Sequence, residues 1–558
     1  MDVAHEYLSA VLRRSREPME PLGFTIDWSD HPRKGKFYPG LEQLALPSAP
    51  ASDTATVRNA LFAPAGEEPV PFTLPMLADM LLYSYGQVGR RLALHSNSNV
   101  ATLPNYGNAG WSRGTASGGG LYPVSVYWVT GANGPVLPGV YHYSTTHHAM
   151  QRLLVGDVTG TVAEALGDAG PGTDQYLVLG LKFWQNAFKY NSFTYHAVTM
   201  DIGTVVQTWK MWARAHGSEL SPALWFDEES LAGLLGVRPR DEGVFAVVPL
   251  RWERGGREKS APTLPAASAA VPAVPASVPV RAADSPRPAP PAARIRTAEQ
   301  ELSRRVISFE AVTAMQDVTV ESGRRRPAPE ELKSARIDVP HGGAPAGPAV
   351  PLPPALPMDM PLRTALTARR SSFGRFSSHR PTEPAQLSSV LAAAAAAAAF
   401  PCDVSAPDEG LALAGLYVFV NHVTGVVPGV YRYEPAGNRL RVISEGSRAR
   451  FLQNTYFLDN YNLEQAGAVV VPTVRATAVL EAVGARGYRL TNAVVGAVAQ
   501  AVYTAAPAVG LGCGVALGFD NVGYAEEFGL QDTDEAPLLI MMIGHERSKD
   551  ADFRFDLV

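Results

Sequence analysis

The chain has 558 residues, 46% hydrophobic and 18% charged, enough for two to four domains with cores of their own. A net charge of -5 excludes the basic footprint expected of a nucleic-acid binder. Two cysteines, Cys402 and Cys513, exclude a disulfide framework or a cysteine-rich zinc site and suit a reducing cytosol.

The first residues, MDVAHEYLSAVLRRS, lack an unbroken apolar core followed by a small-residue cleavage site. The longest apolar runs are cut by glycine, proline or charge before membrane-spanning length, so a soluble cytoplasmic protein is expected. Residues 1–69 read as an N-terminal arm, extended around FTIDW and the basic aromatic stretch 32–38. Residues 70–256 read as a first domain. It opens with a helix over 74–85 and continues with a strand over 124–130 and a glycine turn at Pro138-Gly139 that joins two strands. A buried strand over 176–181 follows, then a long amphipathic helix over 195–216 that stops at Gly217.

Residues 257–361 are an Ala/Pro-rich linker with a short helical patch at 298–315, or alternatively an inserted regulatory segment. Residues 362–558 read as a second domain, with an alanine-rich helix over 391–400, a long helix over 490–506 and a buried strand over 536–544. Strand-rich and helix-rich stretches alternate, which predicts the α+β class.

The two domains repeat one another. VLPGVYHY at 136–143 recurs as VVPGVYRY at 426–433, an offset of 290. Gly203 and Gln207 recur as Gly496 and Gln500, and Trp225-Phe226-Asp227 as Gly518-Phe519-Asp520, both at offset 293. So long a period indicates a duplicated domain rather than a solenoid.

Two segments carry chemistry. Arg369-Arg370-Ser371, with Arg375 shortly after, offers guanidinium forks and a neutral hydroxyl of the kind a phosphate needs; a solvated basic cluster is the plainer reading. Arg113 precedes Ser117-Gly118-Gly119-Gly120, where the glycines let backbone approach a flat or phosphorylated ligand; a flexible turn is the plainer reading.

RGTASGGGLYPVSVYWV followed by LPGVYHY resembles the SagB-type (McbC-like) flavin enzymes of the nitroreductase superfamily, as does the leader IDWSDHP…KFYPGLEQLALP. The resemblance implies an FMN-dependent dehydrogenase that oxidises thiazolines or oxazolines to thiazoles or oxazoles in peptide natural products. It implies that RRSS…RF holds the flavin phosphate and that Gly518 of LGFD turns its backbone to the flavin ring. It also implies a catalytic Lys-Tyr pair, here Lys189-Tyr190, which would be ordinary surface without the resemblance. One departure stands out: where that family has its second arginine, two residues after the serine, this chain has Phe373. Arg547 and Lys549 are further candidates for the pocket.

Nitroreductases are usually homodimers with FMN at the subunit interface, so the resemblance implies that the two domains form such a dimer fused into one chain. The second domain keeps Arg369, Arg370, Ser371 and Gly518, and the first keeps Ser117, the three glycines, Lys189 and Tyr190. The mirror-image site is expected to be dead. Pro407-Asp408-Glu409 replaces Ser117-Gly118-Gly119, and the bulky Trp225 replaces Gly518.

One FMN per chain is therefore expected, with Lys189 as base if burial lowers its pKa and Tyr190 as donor or orienting group. The partners would be an azoline-containing peptide or carrier-bound substrate and other biosynthetic enzymes, with neither nucleic acid nor membrane. The alternatives are flavin oxidation of another peptide or carrier-bound substrate, or an inactive scaffold in a biosynthetic complex.

Overall fold

The computed structural model describes residues 2–47, 54–64, 66, 68–95, 105–169, 172–253, 293–338, 347–406, 409–547 and 552–557. Two mixed α/β halves pack through their long helices, Thr194–Ala215 and Gly487–Ala508. Both helices are buried almost throughout, as expected where each is covered by its own sheet on one side and by its counterpart on the other.

Their crossing shows the pseudo-twofold relation at atomic scale. A Cβ added at Gly203 would lie 2.0 Å from the Ala493 carbonyl oxygen, and one added at Gly496 would lie 2.0 Å from that of Met200. These are the same contact after exchange of the halves, so glycine at both positions lets the two backbones touch.

The sheets repeat the relation. In the first the strand order is Gln43–Ala45, Ala149–Val155, Gly139–Ser144, Val124–Thr130, Gln175–Lys182 and Glu242–Pro249. In the second, Ala349–Pro351, Arg439–Glu445, Gly429–Glu434, Ala414–Val420, Ala468–Val474 and Ile540–Gly544 follow in the same order. Gly512–Ala516 extends the second sheet beyond Ile540–Gly544 and delivers the chain to Gly518. The last described strand, Asp552–Asp556, pairs with Gly89–His95 of the first half.

The PGVY repeat has a purely structural cause. In both halves the register shifts after the valine, at Val140/Tyr141 and Val430/Tyr431. In both, the tyrosine hydroxyl donates back to the turn, to Leu137 O at 2.7 Å and Val427 O at 2.5 Å. A side chain on Gly139 or Gly429 would strike the opposite strand's carbonyl, at 2.1 and 2.5 Å.

Three elements differ from the sequence reading. The alanine-rich helix runs over Pro384–Ala398 rather than 391–400, with Pro384 in its first turn and Phe400 beyond its end at positive φ. The helical patch runs over Glu310–Ser322 rather than 298–315, because Phe309 is extended and Leu302 and Val306 stay exposed. Val312 and Met315 are buried in the main core, and Thr319 bonds to Tyr195, so this part of the linker is packed structure. The late strand splits into Ala536–Pro537 and Ile540–Gly544. Most of the Ala/Pro stretch lies outside the described residues.

Candidate active site

A cavity of about 930 Å³ lies where the two halves meet. From the first half it is lined by Ser117, Gly118–Gly120, Lys189 and Tyr190, and from the second by Arg369, Arg370, Ser371, Arg375 and Gly518. Residues as far apart in sequence as Ser117 and Gly518 thus share one space.

The first-half wall is a tight turn. Gly119 and Gly120 have φ of 63° and 66°, and Tyr122 follows at 52°, in the region glycine enters without strain. A Cβ on Gly119 would lie 2.4 Å from the Tyr190 hydroxyl and 3.1 Å from the Lys189 amine. The missing side chain is what lets the Lys-Tyr pair come against the loop.

The loop is held from below by both halves. Asp201 Oδ2 accepts the Ser117 hydroxyl at 2.6 Å, and Oδ1 accepts the Gly118 N–H at 2.9 Å. From the opposite half, Gln500 accepts the Ala116 N–H at 2.9 Å and donates to the Gly114 carbonyl at 3.0 Å.

Burial shifts the titratable groups. Burial first, and the Lys34 charge second, lower the Lys189 pKa. Burial, then the Asp201 charge, pushes Tyr190 up to about 12. Asp201 is pushed up to about 7 by burial, against the opposing bonds from Ser117 and Gly118.

The second-half wall starts where helix Leu362–Ala368 ends at Arg369. The Arg369 Nε donates to the Arg113 carbonyl at 3.1 Å, and its guanidinium lies 5.2 Å from the Tyr503 ring centre. Among the described residues it has no carboxylate partner. Arg370 pairs with Glu546 at 2.5 Å, and Ser371 bonds to Tyr503 at 2.8 Å. The arginine displaced in sequence, Arg375, still reaches the cavity, while Phe373 is 54% exposed at its rim.

Gly518 offers a different kind of wall. A Cβ there would meet Phe457 at an ordinary 3.6 Å, so the protein itself does not demand glycine; the space belongs to the cavity. No acceptor among the described residues takes the Gly518 N–H, which leaves it for a ligand.

Two candidates fall outside the cavity. Arg113 is buried behind it, stacked 4.3 Å from the Tyr122 ring centre and donating to the Tyr85 carbonyl at 3.1 Å; it supports Arg369 only through its carbonyl. Arg547 is spent on the Gly374 carbonyl at 2.7 Å. Lys549, Pro407 and Asp408 lie outside the described residues, and Glu409 is exposed and paired with Arg336.

The sequence reading missed Asp201 and Arg14. Asp201 was findable as the only carboxylate in the long helix, at a position where the repeat has Val494. Arg14 carries no such signal, because it sits on the N-terminal helix Val3–Arg13 at its C-cap and reaches the second half only through tertiary packing.

At the pseudo-equivalent place the volume is packed. Trp225 is 1% exposed, and the buried Arg486 and Arg489 bind Glu228 at 3.1 and 2.7 Å. The Leu224 and Trp225 N–H groups donate to Asp403 at 2.8 and 3.1 Å. Side chains of the protein thus occupy the positions left for a ligand on the other side.

Residues 366–545 match the model of the nitroreductase family. Over the whole chain the fold is that of a candidate nitroreductase from Anabaena variabilis, with a TM-score of 0.67 at 20% identity, covering 98% of this chain and 100% of that one. A candidate nitroreductase from Ralstonia eutropha aligns at TM-score 0.30 and 24% identity, over 38% of this chain and 95% of that one. The E. coli microcin synthetase McbBCD complex with truncated pro-MccB17 bound aligns at TM-score 0.27 and 16% identity, over 40% and 89%. No curated protein matches the chain. The molecule is therefore a mixed helix-and-sheet protein with the fold of the Anabaena variabilis structure, and its second half carries the match to the nitroreductase family model. Among the described residues, no helix is long and apolar enough to cross a membrane.

Proposed function

We propose that the chain is a cytoplasmic, FMN-dependent dehydrogenase of the SagB type, descended from a tandem duplication. Its substrate would be a thiazoline or oxazoline ring in a peptide or carrier-bound chain, handed on by other biosynthetic enzymes. The observation that carries this reading is the meeting, in one cavity, of the phosphate-type motif and Gly518 from one half with the glycine turn and Lys189-Tyr190 from the other.

The residues present fit FMN. Arg369, with no carboxylate partner, and the Ser371 hydroxyl would hold the phosphate, with Arg370 and Arg375 beside them. The backbone at Gly118–Gly120 and the open N–H of Gly518 admit a flat ring, and the volume lies within the usual range for ligand pockets. Bound there, FMN would supply the two-electron oxidising chemistry that turning the ring into an azole needs.

The chain's own groups handle position and protons. Lys189, whose pKa burial lowers, takes the proton from the carbon next to the ring nitrogen, so that hydride and proton loss together leave the aromatic azole. Tyr190 stays protonated at neutral pH and orients the ring as a hydrogen-bond donor. Both oxygens of Asp201 are engaged by the glycine turn, which makes it a positioning residue.

Releasing and counting flavin from purified protein tests this reading. One FMN per chain is expected, with little or none after Arg369→Ala combined with Arg370→Ala. Two per chain, or none after reconstitution, would overturn it.

A further inference from the structure

The loop that precedes helix Asn521–Phe528 has a counterpart before helix Glu228–Leu235, and an arginine clamps each. In the packed counterpart, Arg486 donates to the Leu224 carbonyl at 2.7 Å and to Glu228 at 3.1 Å. In the open cavity, Arg14 donates to the Leu517 carbonyl and to Asn521 at 2.7 Å. Leu224 and Leu517 are equivalent at offset 293, as are Glu228 and Asn521.

The two arginines are not themselves equivalent in sequence. The counterpart of Arg486 is Phe193, and the Arg14 guanidinium lies 4.7 Å from that ring's centre. An unrelated segment of the chain has brought the same group to the same loop. What differs is its charge balance. Arg486 has the carboxylate of Glu228; Arg14 meets a neutral amide there and has no carboxylate partner among the described residues. The neighbouring Asp520 attracts Arg14 through space, while its carboxylate accepts the Ser15 hydroxyl at 2.6 Å.

Arg14 also keeps donors in reserve. Its bonds to Val11, Asn521 and Leu517 use both Nη1 hydrogens and one on Nη2, leaving the Nε–H and one Nη2–H, a pair that suits the two oxygens of a carboxylate. Burial lowers its pKa to about 10, so it remains charged at neutral pH. The packed counterpart shows that this junction accepts such a group, since a protein carboxylate, Asp403, occupies the amides of Leu224 and Trp225.

We propose that Arg14 is a specificity-determining residue of the cavity, which binds a carboxylate carried by the substrate and thereby selects an anionic substrate over its neutral analogue. The proposal rests on the cavity being the reaction site as set out above.

Calorimetric titration of the full chain with benzoate and with its neutral isostere benzamide tests it, with flavin content measured on the same samples. Benzoate is expected to bind at least tenfold more tightly than benzamide. Arg14→Gln should erase that preference. So should Asn521→Glu, which installs the carboxylate of the packed counterpart and leaves Arg14 in place should the first variant fold poorly. Absence of a benzoate preference in the native chain would overturn the proposal, as would its survival in Asn521→Glu or its loss only in Lys189→Gln. An Arg14-dependent preference in protein that never takes up flavin would sink the cofactor assignment and leave the anion site standing.

Discussion

The open cavity and its packed counterpart are built from the same two helices and equivalent loop-to-helix junctions, yet among the described residues one is lined by open space and the other is filled with side chains. A few exchanges produce the difference. Glycine at 518 faces tryptophan at 225, and a neutral amide at 521 faces the carboxylate at 228. In the counterpart, Asp403 takes the loop amides that the open side leaves for a ligand. The comparison teaches that one side of an interface between two similar halves can be filled while the other stays open, because each side closes on side chains while the shared helix crossing depends on backbone contact.

The hardest break in this comparison is Gly518→Trp, which copies the feature of the packed side. The Cβ is tolerated by the protein, but the indole must enter the cavity. Flavin is expected to fall to undetectable amounts per chain while the melting temperature of flavin-free protein stays within a few degrees of native. Retained flavin would show that the ring does not lie against residue 518.

The next largest effect lies on the packed side. Glu228→Ala leaves Arg486 and Arg489 buried without their carboxylate, and breaking such a group costs about 3–5 kcal/mol. Denaturant unfolding should show that loss with flavin stoichiometry in the folded protein unchanged. The pH dependence has a definite sign. Burial opposes ionisation of Glu228, but Arg489 and Arg486 outweigh it and hold the pKa below the ordinary carboxylate value. Its stabilising contribution is therefore complete above the unfolded pKa of about 4.3 and is lost as pH falls through the lower folded value. The variant should lack that acid-side loss.

A smaller and purely catalytic effect is expected from Lys189→Ala. Flavin should remain, because Lys189 contributes nothing to the phosphate wall, while azoline oxidation in single-turnover assays falls by about 10²–10⁴. Undiminished turnover would remove Lys189 from proton transfer and leave the composite cavity intact.

How much of this was legible in the sequence follows from what kind of signal each part leaves. The repeat between the halves was readable because the turn at Pro138-Gly139 and the crossing glycines 203 and 496 answer to close backbone contacts that a side chain would disturb. The residues that line the two walls of the cavity stood out for a related reason, since glycine runs and arginine pairs are local. Arg113 and Arg547 show the limit of that reading. Both are cations beside the right motifs, yet each is turned onto a backbone carbonyl, a choice made by packing. Asp201 and Arg14 show the converse, with ordinary-looking residues in helices becoming part of the cavity only when distant segments meet. The helix at Glu310–Ser322 was placed too early because its apolar pattern continues upstream into Leu302 and Val306, which the fold leaves in solvent.

The finest test of the comparison is Asp201→Asn, at a position where the packed side has only Val494. An asparagine oxygen can still accept the Gly118 N–H, and the Ser117 hydroxyl can turn to accept rather than donate, so the glycine turn should survive. What changes is the proton. Burial raises Asp201 to about 7, so between about pH 4 and 7 the folded chain holds a proton that the unfolded chain has released. In that window native stability must fall as pH rises, by at most about 1.4 kcal/mol per pH unit, and level off once the folded group has ionised. Unfolding of flavin-free protein at a series of pH values should show this slope in the native chain and its absence in Asp201→Asn. Equal slopes in both would mean that Asp201 is already ionised beneath the turn, and that the turn is held by a charge rather than by a neutral acid.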